Sequence, residues 1–333
     1  MTKRNDIYSI FLLLTAGLLA GCSVVNEPEQ KREISISTGV TSLQKRAAAI
    51  NGSTDLQDVD LRIDAYYHGT ETKCLDAARL HYNSSSWVFW DGSAPLHYYW
   101  PVEGSVYTPA MGDPITVSSL DFVGYCPYDL TYTGVALGEY SSGTLQMTCT
   151  LPMVSTGEGT TQANLQEFLW AYTDDQTKDS NSGTVNLSFQ HPFARVRFYL
   201  SASHPDIKVN KIAFKSLKSG GTCTFDGSTS TWTSLTPAGT VDFVMTYTGD
   251  AAVYNSNPAS PRQIGSDYIV VPQTFAGDIE VNAGWIDWGE VIDHNVSTTI
   301  SSQTWEAGCS YTYTFTIRET DLRVDIQKYT EQW

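Results

Sequence analysis

Cys22 is the residue whose chemistry the sequence specifies most clearly, because it stands at the end of a secretory signal. Lys3 and Arg4 precede the apolar run Ile10–Leu14, and Leu19-Ala20-Gly21 comes directly before the cysteine. A charged start, a short apolar core and small residues at a boundary are typical of a segment that directs export and is then removed. We therefore expect the chain to be exported.

The cysteine at this boundary resembles the lipobox of bacterial lipoproteins. That resemblance implies that residues 1–21 are removed, that the Cys22 thiol is diacylated, and that Cys22 becomes the first residue. Two or three acyl chains attach a protein firmly to a membrane, whereas a single chain holds only marginally. The alternative is an ordinary signal peptide followed by an incidental cysteine.

Beyond Cys22, no arrangement of side chains predicts catalysis, a metal site or a bound cofactor. The sequence has no Gly-x-Ser-x-Gly elbow, no His-Glu-x-x-His and no Gly-rich phosphate loop, and its six histidines lack metal-ligand spacing. Asp174, Asp175 and Asp179 cluster without the Asp-x-Asp-x-Asp-Gly order of calcium loops, which favours a solvated loop. We expect a protein that is not an enzyme.

Composition excludes some partners and favours strands. The 333 residues carry a formal charge of −16, which argues against nucleic acid as a partner. Charged residues make up only 17% and there are 19 tyrosines, a bias that suits half-buried strands. Five cysteines follow Cys22, an odd number that leaves at least one thiol free, and buried single thiols are the favoured interpretation.

Period-two alternation of apolar residues recurs along the chain. In Glu33–Val40 the apolar side chains of Ile34, Ile36 and Val40 share one face. Near the end of the chain, Leu322-Arg323-Val324-Asp325-Ile326 alternates in the same way. Many short strands separated by turn clusters predict an all-β sandwich or a pair of them.

The segment Val185–Leu200 marks a candidate domain boundary. Its apolar residues occupy odd positions up to Phe189 and even positions from Ala194, so the inward face changes at His191-Pro192. A β-bulge or a crossing between sheets must lie there, and the polar stretch Thr173–Gly183 is expected to be a loop leading into it. The predicted divisions are a signal peptide (1–21), an N-terminal segment with the first strand (22–46), and two domains (47–190 and 191–333).

Several short motifs occur in the order found in fimbrillins, the pilus subunits and fimbrillin-like lipoproteins of Bacteroides-type outer membranes. This resemblance spans essentially the whole exported chain. It implies an all-β protein with two tandem transthyretin-like β-sandwich domains after a lipoprotein signal peptide. The motifs are the lipobox, Tyr98-Tyr99-Trp100-Pro101, Phe122–Pro127, Leu187–Val196, Val271-Pro272-Gln273, and Trp305–Gly308 followed by Tyr311 and Tyr313.

The resemblance also implies an assembly mechanism at the outer membrane. An arginine-specific protease removes the first strand of a lipidated precursor, and a strand of another subunit fills the groove that is left. The dibasic pair Lys45-Arg46 precedes Ala47, so cleavage is expected between Arg46 and Ala47; the alternative is a solvated basic pair in a linker. Losing Ile34, Ile36 and Val40 from a core would cost roughly 5–9 kcal/mol in sum.

The candidate donor strand carries Leu322, Val324 and Ile326, whose spacing matches that of Ile34 and Ile36. An ordinary last strand of the C-terminal domain explains the same pattern. The expected partners are other fimbrial subunits in a homo- or hetero-polymer, the outer membrane through the lipid anchor, and a surface receptor or glycan.

A second hypothesis is a monomeric surface lipoprotein that binds glycans. Exposed aromatic rings form stacking platforms for sugars, but the same residues also fill sandwich cores, and the core interpretation is favoured. The rings in question belong to Trp87, Trp90 and Trp100 with Tyr98 and Tyr99, and to Trp285 and Trp288.

Overall fold

The structure is a computed structural model, and it describes residues 31–40, 53–110, 112–141, 143–151, 165–202, 208–244, 261–287, 290–317 and 322–329. This part of the chain is nearly all β; its helices are a four-residue α-helix, Ser53–Leu56 (α1), and a single 3-10 turn, Ser180–Gly183. The predicted all-β class is confirmed. Within these ranges, no helix has the length and apolar character needed to cross a membrane.

Twenty strands make up the described fold. Up to Phe189 they are β1 (Ser35–Val40), β2 (Leu61–Tyr67), β3 (Lys73–Tyr82), β4 (Trp87–Trp90), β5 (Pro95–Leu96), β6 (Val106–Tyr107), β7 (Ile115–Thr116), β8 (Leu120–Cys126), β9 (Val135–Ser141), β10 (Thr144–Thr150), β11 (Leu169–Gln176) and β12 (Thr184–Phe189). From Ala194 they are β13 (Ala194–Ala202), β14 (Lys208–Phe225), β15 (Ser230–Val244), β16 (Arg262–Val270), β17 (Gln273–Asp287), β18 (Glu290–Trp305), β19 (Ser310–Ile317) and β20 (Leu322–Tyr329).

The first core lies between a six-stranded sheet and the pair β1–β12. The sheet has the order β11-β8-β2-β3-β4-β5, and β1 runs parallel to β12. Leu61 and Ile63 of β2 are fully buried in this core, together with Leu187 and Phe189 of β12. Strand alternation therefore places one apolar face of each layer against the other.

The second core is built from the strands that follow Ala194. The sheet β16-β13-β19-β20 packs against β14, β17 and β18 of another sheet, and the contact combines aliphatic side chains with aromatic rings. Trp305 is buried there, and its indole Nε1 donates a hydrogen bond to Tyr313 Oη at 2.8 Å. Both polar atoms are thus satisfied inside an apolar environment.

A third core joins the two halves of the chain. β10 pairs antiparallel with β14 through six residue pairs, from Leu145 with Phe225 to Thr150 with Gly220, so one sheet contains strands from both halves. The rings of Trp170 and Phe225 stack 4.8 Å apart in this core. The division into domains at His191 stays a prediction. One core lies on each side of this position in the sequence, and the third core contains residues from both sides.

The chain changes sheets at His191-Pro192. β12 pairs with β1 before this point, and β13 lies in the sheet β16-β13-β19-β20 after it. The shift in apolar positions therefore reflects a crossing between sheets. His191 is buried and its Nδ1 is hydrogen-bonded to Glu167 Oε1 at 2.5 Å, which fixes the crossing segment to the preceding part of the chain.

The loop predicted over Thr173–Gly183 is wrong at its beginning, because β11 continues through Gln176. The N–H of Asp175 donates to Asp121 Oδ1 at 2.9 Å, and Ser119 Oγ donates to Asp175 Oδ1 at 2.6 Å. These long-range bonds hold polar residues in a strand that their composition alone does not favour.

Candidate functional site

The segment 32–40 occupies a groove in which each of its two parts is hydrogen-bonded to a different backbone edge. Every residue of β1 pairs with β12, in a parallel register that runs from Ser35 with Thr184 to Val40 with Phe189. Just upstream, Ile34 N donates to Tyr98 O at 2.8 Å and Trp100 N donates to Arg32 O at 2.9 Å. The segment 32–40 is therefore hydrogen-bonded to a different neighbour in each of its two parts.

The apolar side chains of this segment enter the first core. Ile34 is 2% exposed and Ile36 is 7% exposed, and both belong to the cluster that contains Leu56, Trp100 and Phe122. Val40 is half-buried against the same cluster. The alternating residues Ser35 and Ser37 are exposed, so the strand presents one apolar face to the groove.

Thr38 interrupts the apolar face of the strand. Its Oγ1 is buried and makes no hydrogen bond within the described part of the chain. A buried hydroxyl without a partner costs about 1–3 kcal/mol. The first strand is therefore less than ideally matched to the groove that it fills.

The floor of the groove is closely packed where β12 crosses β8. Gly124 of β8 has no side chain, and a Cβ built on it would lie 2.7 Å from Phe189 Cζ and 3.2 Å from Leu187 Cδ1. The missing side chain lets the residues of β12 reach the sheet. The ring of Trp100 meets the ring of Phe122 at 5.6 Å beside the floor.

Arg32 holds the beginning of the segment. Its guanidinium donates to the carbonyl oxygen of Ser182, and Nη1 lies 3.6 Å from Asp179 Oδ1. A Cβ on Gly183 would lie 2.6 Å from Arg32 Nε, so the guanidinium rests directly on this glycine, whose φ is +79°. Sequence reasoning missed this residue, although Lys31-Arg32 is a dibasic pair like Lys45-Arg46.

The candidate donor strand lies elsewhere in the structure. β20 pairs antiparallel with β19 at the end of its four-stranded sheet, and Ile326 packs partly buried against the second core. The side chains of Leu322 and Val324 lie outside the described set. The structure does not bring β20 to β1, and strand exchange stays a prediction.

Three predicted site residues fall outside the described residues. They are Cys22, Arg46 and Ala47. Lipidation and cleavage therefore also stay predictions.

Comparison with known proteins decides the family. A family model described as fimbrillin-like matches residues 97–333, which is more than half of the chain. The chain belongs to the fimbrillin-like family. The predicted resemblance is confirmed, and so is the prediction that this fimbrillin-like protein is not an enzyme, since the family is one of structural fimbrial proteins.

Relatives of this fimbrillin-like protein agree over nearly its whole length. It is 22% identical to fimbrium subunit Fim1C of Phocaeicola vulgatus, covering 98% of this chain and 97% of the relative. Its fold resembles that of a fimbrial protein from Bacteroides vulgatus (TM-score 0.62, 15% identity, 90% and 99% coverage). It also resembles a candidate cell adhesion protein from Bacteroides uniformis (TM-score 0.53, 14% identity, 90% and 98% coverage).

The predicted tryptophans of this fimbrillin-like protein give little support to the glycan hypothesis. Trp87 and Trp90 are half-buried, and Trp87 packs against the first core. The side chains of Trp285 and Trp288 lie outside the described set. Trp100 is buried and Tyr98 is partly buried against the first core, whereas Tyr99 is exposed. The other exposed large rings in the described part, which sequence reasoning did not single out, belong to Tyr107, Tyr128 and Tyr132.

A buried polar cluster on β8 is structural in this fimbrillin-like protein. Asp121 accepts hydrogen bonds from Tyr140 Oη at 2.7 Å and from the Asp175 N–H, and its Oδ1 lies 2.7 Å from His68 Nδ1. Burial alone would raise the pKa of Asp121, but these hydrogen bonds outweigh it and the pKa lies below 3.8. No group of three or more His, Cys, Asp or Glu that could hold a metal occurs among the described residues.

Proposed function

We propose that this protein is a structural or adhesive subunit, or an accessory protein, of a fimbrium on the bacterial cell surface. It is exported as a lipoprotein anchored to the outer membrane through Cys22. Cleavage between Arg46 and Ala47 then removes the first strand, and a strand of another fimbrial subunit replaces it. Family membership and the fimbrial relatives support the coarse assignment, and the packing of β1 supports the mechanism.

The single observation that carries the mechanism is the burial of Ile34 and Ile36 on a strand that precedes the predicted cleavage site. Full burial of an isoleucine is worth about 1.5–3 kcal/mol, so removing both costs about 3–6 kcal/mol. Because a domain is stable by only about 5–15 kcal/mol, the shortened subunit would be marginally stable. That deficit favours binding of a replacement strand.

Loss of β1 also exposes backbone groups. Within the described part of the chain, β1 is the only strand that pairs with β12, so its removal leaves the edge Thr184–Phe189 open. The backbone of Tyr98–Trp100 loses its bonds to Arg32 and Ile34 as well. An added strand supplies hydrogen bonds to such an edge, and its alternate side chains fill the pockets beneath.

We assign the role of donor to Leu322–Ile326. In the monomer this segment belongs to β20, which lies at the end of its sheet and, among the residues that the structure describes, pairs only with β19. An end strand can leave without dividing the sheet. In the joined subunits, the apolar side chains at 322, 324 and 326 would take the places of Ile34, Ile36 and Thr38.

The test begins with the purified precursor and an arginine-specific protease. We expect species larger than the monomer after cleavage, separated by size, and none with Arg46→Ala. Lys45→Ala is the matched control, because it keeps the arginine at the cleavage site. A monomer that is shortened to begin at Ala47 and never forms a larger species contradicts the mechanism.

Two further measurements address the donor and the anchor. A synthetic peptide with residues 320–333 should stop growth of the larger species, whereas a scrambled peptide should not. Radiolabelled palmitate should enter the wild-type precursor in cells and be absent from Cys22→Ser. Equal labelling of both proteins contradicts the anchor.

A further inference from the structure

Two dibasic pairs flank the first strand, and cleavage at each would give a different product. Lys31-Arg32 precedes β1 and Lys45-Arg46 follows it. Cleavage after Arg46 separates both the anchor and β1 from the subunit. Cleavage after Arg32 would instead separate the anchor and leave β1 in its groove, so the released subunit could accept no donor strand.

The backbone around Arg32 is tied down on both sides of the peptide bond that follows it. The carbonyl of Arg32 accepts from Trp100 N at 2.9 Å, and Ile34 N donates to Tyr98 O at 2.8 Å. Glu33 forms a β-bridge with Tyr99 between them. A protease needs its substrate backbone released from such bonds, so cleavage here requires local opening of the segment.

The side chain of Arg32 is held as well. The guanidinium donates to Ser182 O, rests on Gly183, and lies 3.6 Å from Asp179 Oδ1. An arginine-specific protease must bind this same guanidinium in its own pocket. The ion pair with Asp179 is exposed and contributes little, so most of the protection comes from the backbone bonds and from Ser182.

We propose that these contacts, here called the Arg32 clamp, protect the Arg32–Glu33 bond from arginine-specific proteolysis. The Arg32 clamp consists of the contacts of Arg32 with Ser182, Gly183, Asp179 and Trp100. As a consequence, the subunit loses its lipid anchor only when it also loses β1. This inference rests on the proposed function for its biological meaning, but the protection itself does not depend on it.

The experiment uses the full precursor with Arg46→Ala, so that β1 cannot leave first. An arginine-specific protease is added, and mass spectrometry follows the appearance of chains that begin at Glu33. The reference is a peptide of residues 27–50 with the same substitution, which contains the bond without the fold. We expect cleavage after Arg32 at least 100-fold slower in the precursor than in the peptide; protection below tenfold overturns the proposal.

Variants then separate the clamp from general stability. Gly183→Ala places a methyl group against the guanidinium and should raise the cleavage rate after Arg32 by at least fivefold, while Asp179→Asn should raise it about twofold. Asp113→Asn, an exposed acid outside the clamp, should leave it unchanged, and circular dichroism checks that each variant is folded. Equal rates in folded Gly183→Ala and Asp113→Asn overturn the role of the guanidinium contacts.

The outcome is independent of the test of the proposed function. If wild-type precursor forms no larger species while Arg32 stays protected, donor-strand exchange fails and the clamp stands. If larger species form while Arg32 is cleaved as fast as in the peptide, the clamp fails and the exchange stands.

Discussion

Replacing Ile36 by Ala removes a side chain that is 7% exposed from the core beneath the first strand. Substitutions of a buried isoleucine by alanine cost about 2–5 kcal/mol, because the lost transfer free energy is joined by the cost of a cavity. The same range applies to Ile34→Ala, which is 2% exposed. Val40 is half-buried, so Val40→Ala should cost about 1 kcal/mol, and the exposed Ser37→Ala should cost below about 0.5 kcal/mol.

The assay is guanidinium unfolding of each purified precursor under reducing conditions, followed by tryptophan fluorescence. Amide hydrogen exchange of β12 provides a local readout, because its backbone is bonded to β1. A destabilisation of about 2.8 kcal/mol should raise the opening equilibrium of β12 about 100-fold. If Ile34→Ala and Ile36→Ala both unfold at the same midpoint as Ser37→Ala, the first strand does not support the core and the reasoning fails.

Three further outcomes follow from contacts around the groove. Thr38→Val should stabilise the precursor by about 1 kcal/mol in guanidinium unfolding, because the buried Oγ1 makes no hydrogen bond within the described residues, and a loss of stability would contradict this. Gly124→Ala should destabilise it by about 1–3 kcal/mol in the same assay, because the new methyl group would overlap Phe189; an unchanged midpoint contradicts this. The hydrogen bond with Asp121 raises the pKa of His68 above 6.5, so its stabilising contribution is complete below about pH 6.5 and is lost as pH rises through the folded-state pKa. Proton NMR titration should show that Asp121→Asn lowers the pKa of His68, and an unchanged pKa contradicts this.

Local patterns in the sequence predicted the elements of the site, because the alternation of apolar and polar residues indicates which face of a strand is buried. The spacing of Ile34 and Ile36 indicated a strand with one apolar face, and the structure places both side chains in a core. The shift of apolar positions around His191-Pro192 indicated a β-bulge or a change of sheet, since an odd step reverses the face of a strand, and the structure shows the change of sheet. Both are properties of a few consecutive residues.

Partners distant in sequence could not be predicted. Nothing in Ser35–Val40 specifies a parallel pairing with a strand about 150 residues later, because backbone hydrogen bonds carry no information on side-chain identity. The contact of Arg32 with Ser182 depends on that pairing, since it forms only when the two strands lie side by side. The sequence does contain one signal for this contact, the dibasic pair Lys31-Arg32. Its importance becomes clear only when the fold shows what Arg32 contacts.

The six residue pairs between β10 and β14 have a mechanical consequence. If the two halves met only at the crossing near Pro192, tension on the ends of a subunit would swing them apart as on a hinge. Because the two halves share a sheet, that motion would have to break the backbone hydrogen bonds between β10 and β14 together. It would also have to separate the stacked rings of Trp170 and Phe225. If the protein assembles into a filament as proposed, each subunit should therefore resist bending between its two halves, and the filament should bend at the joints between neighbouring subunits.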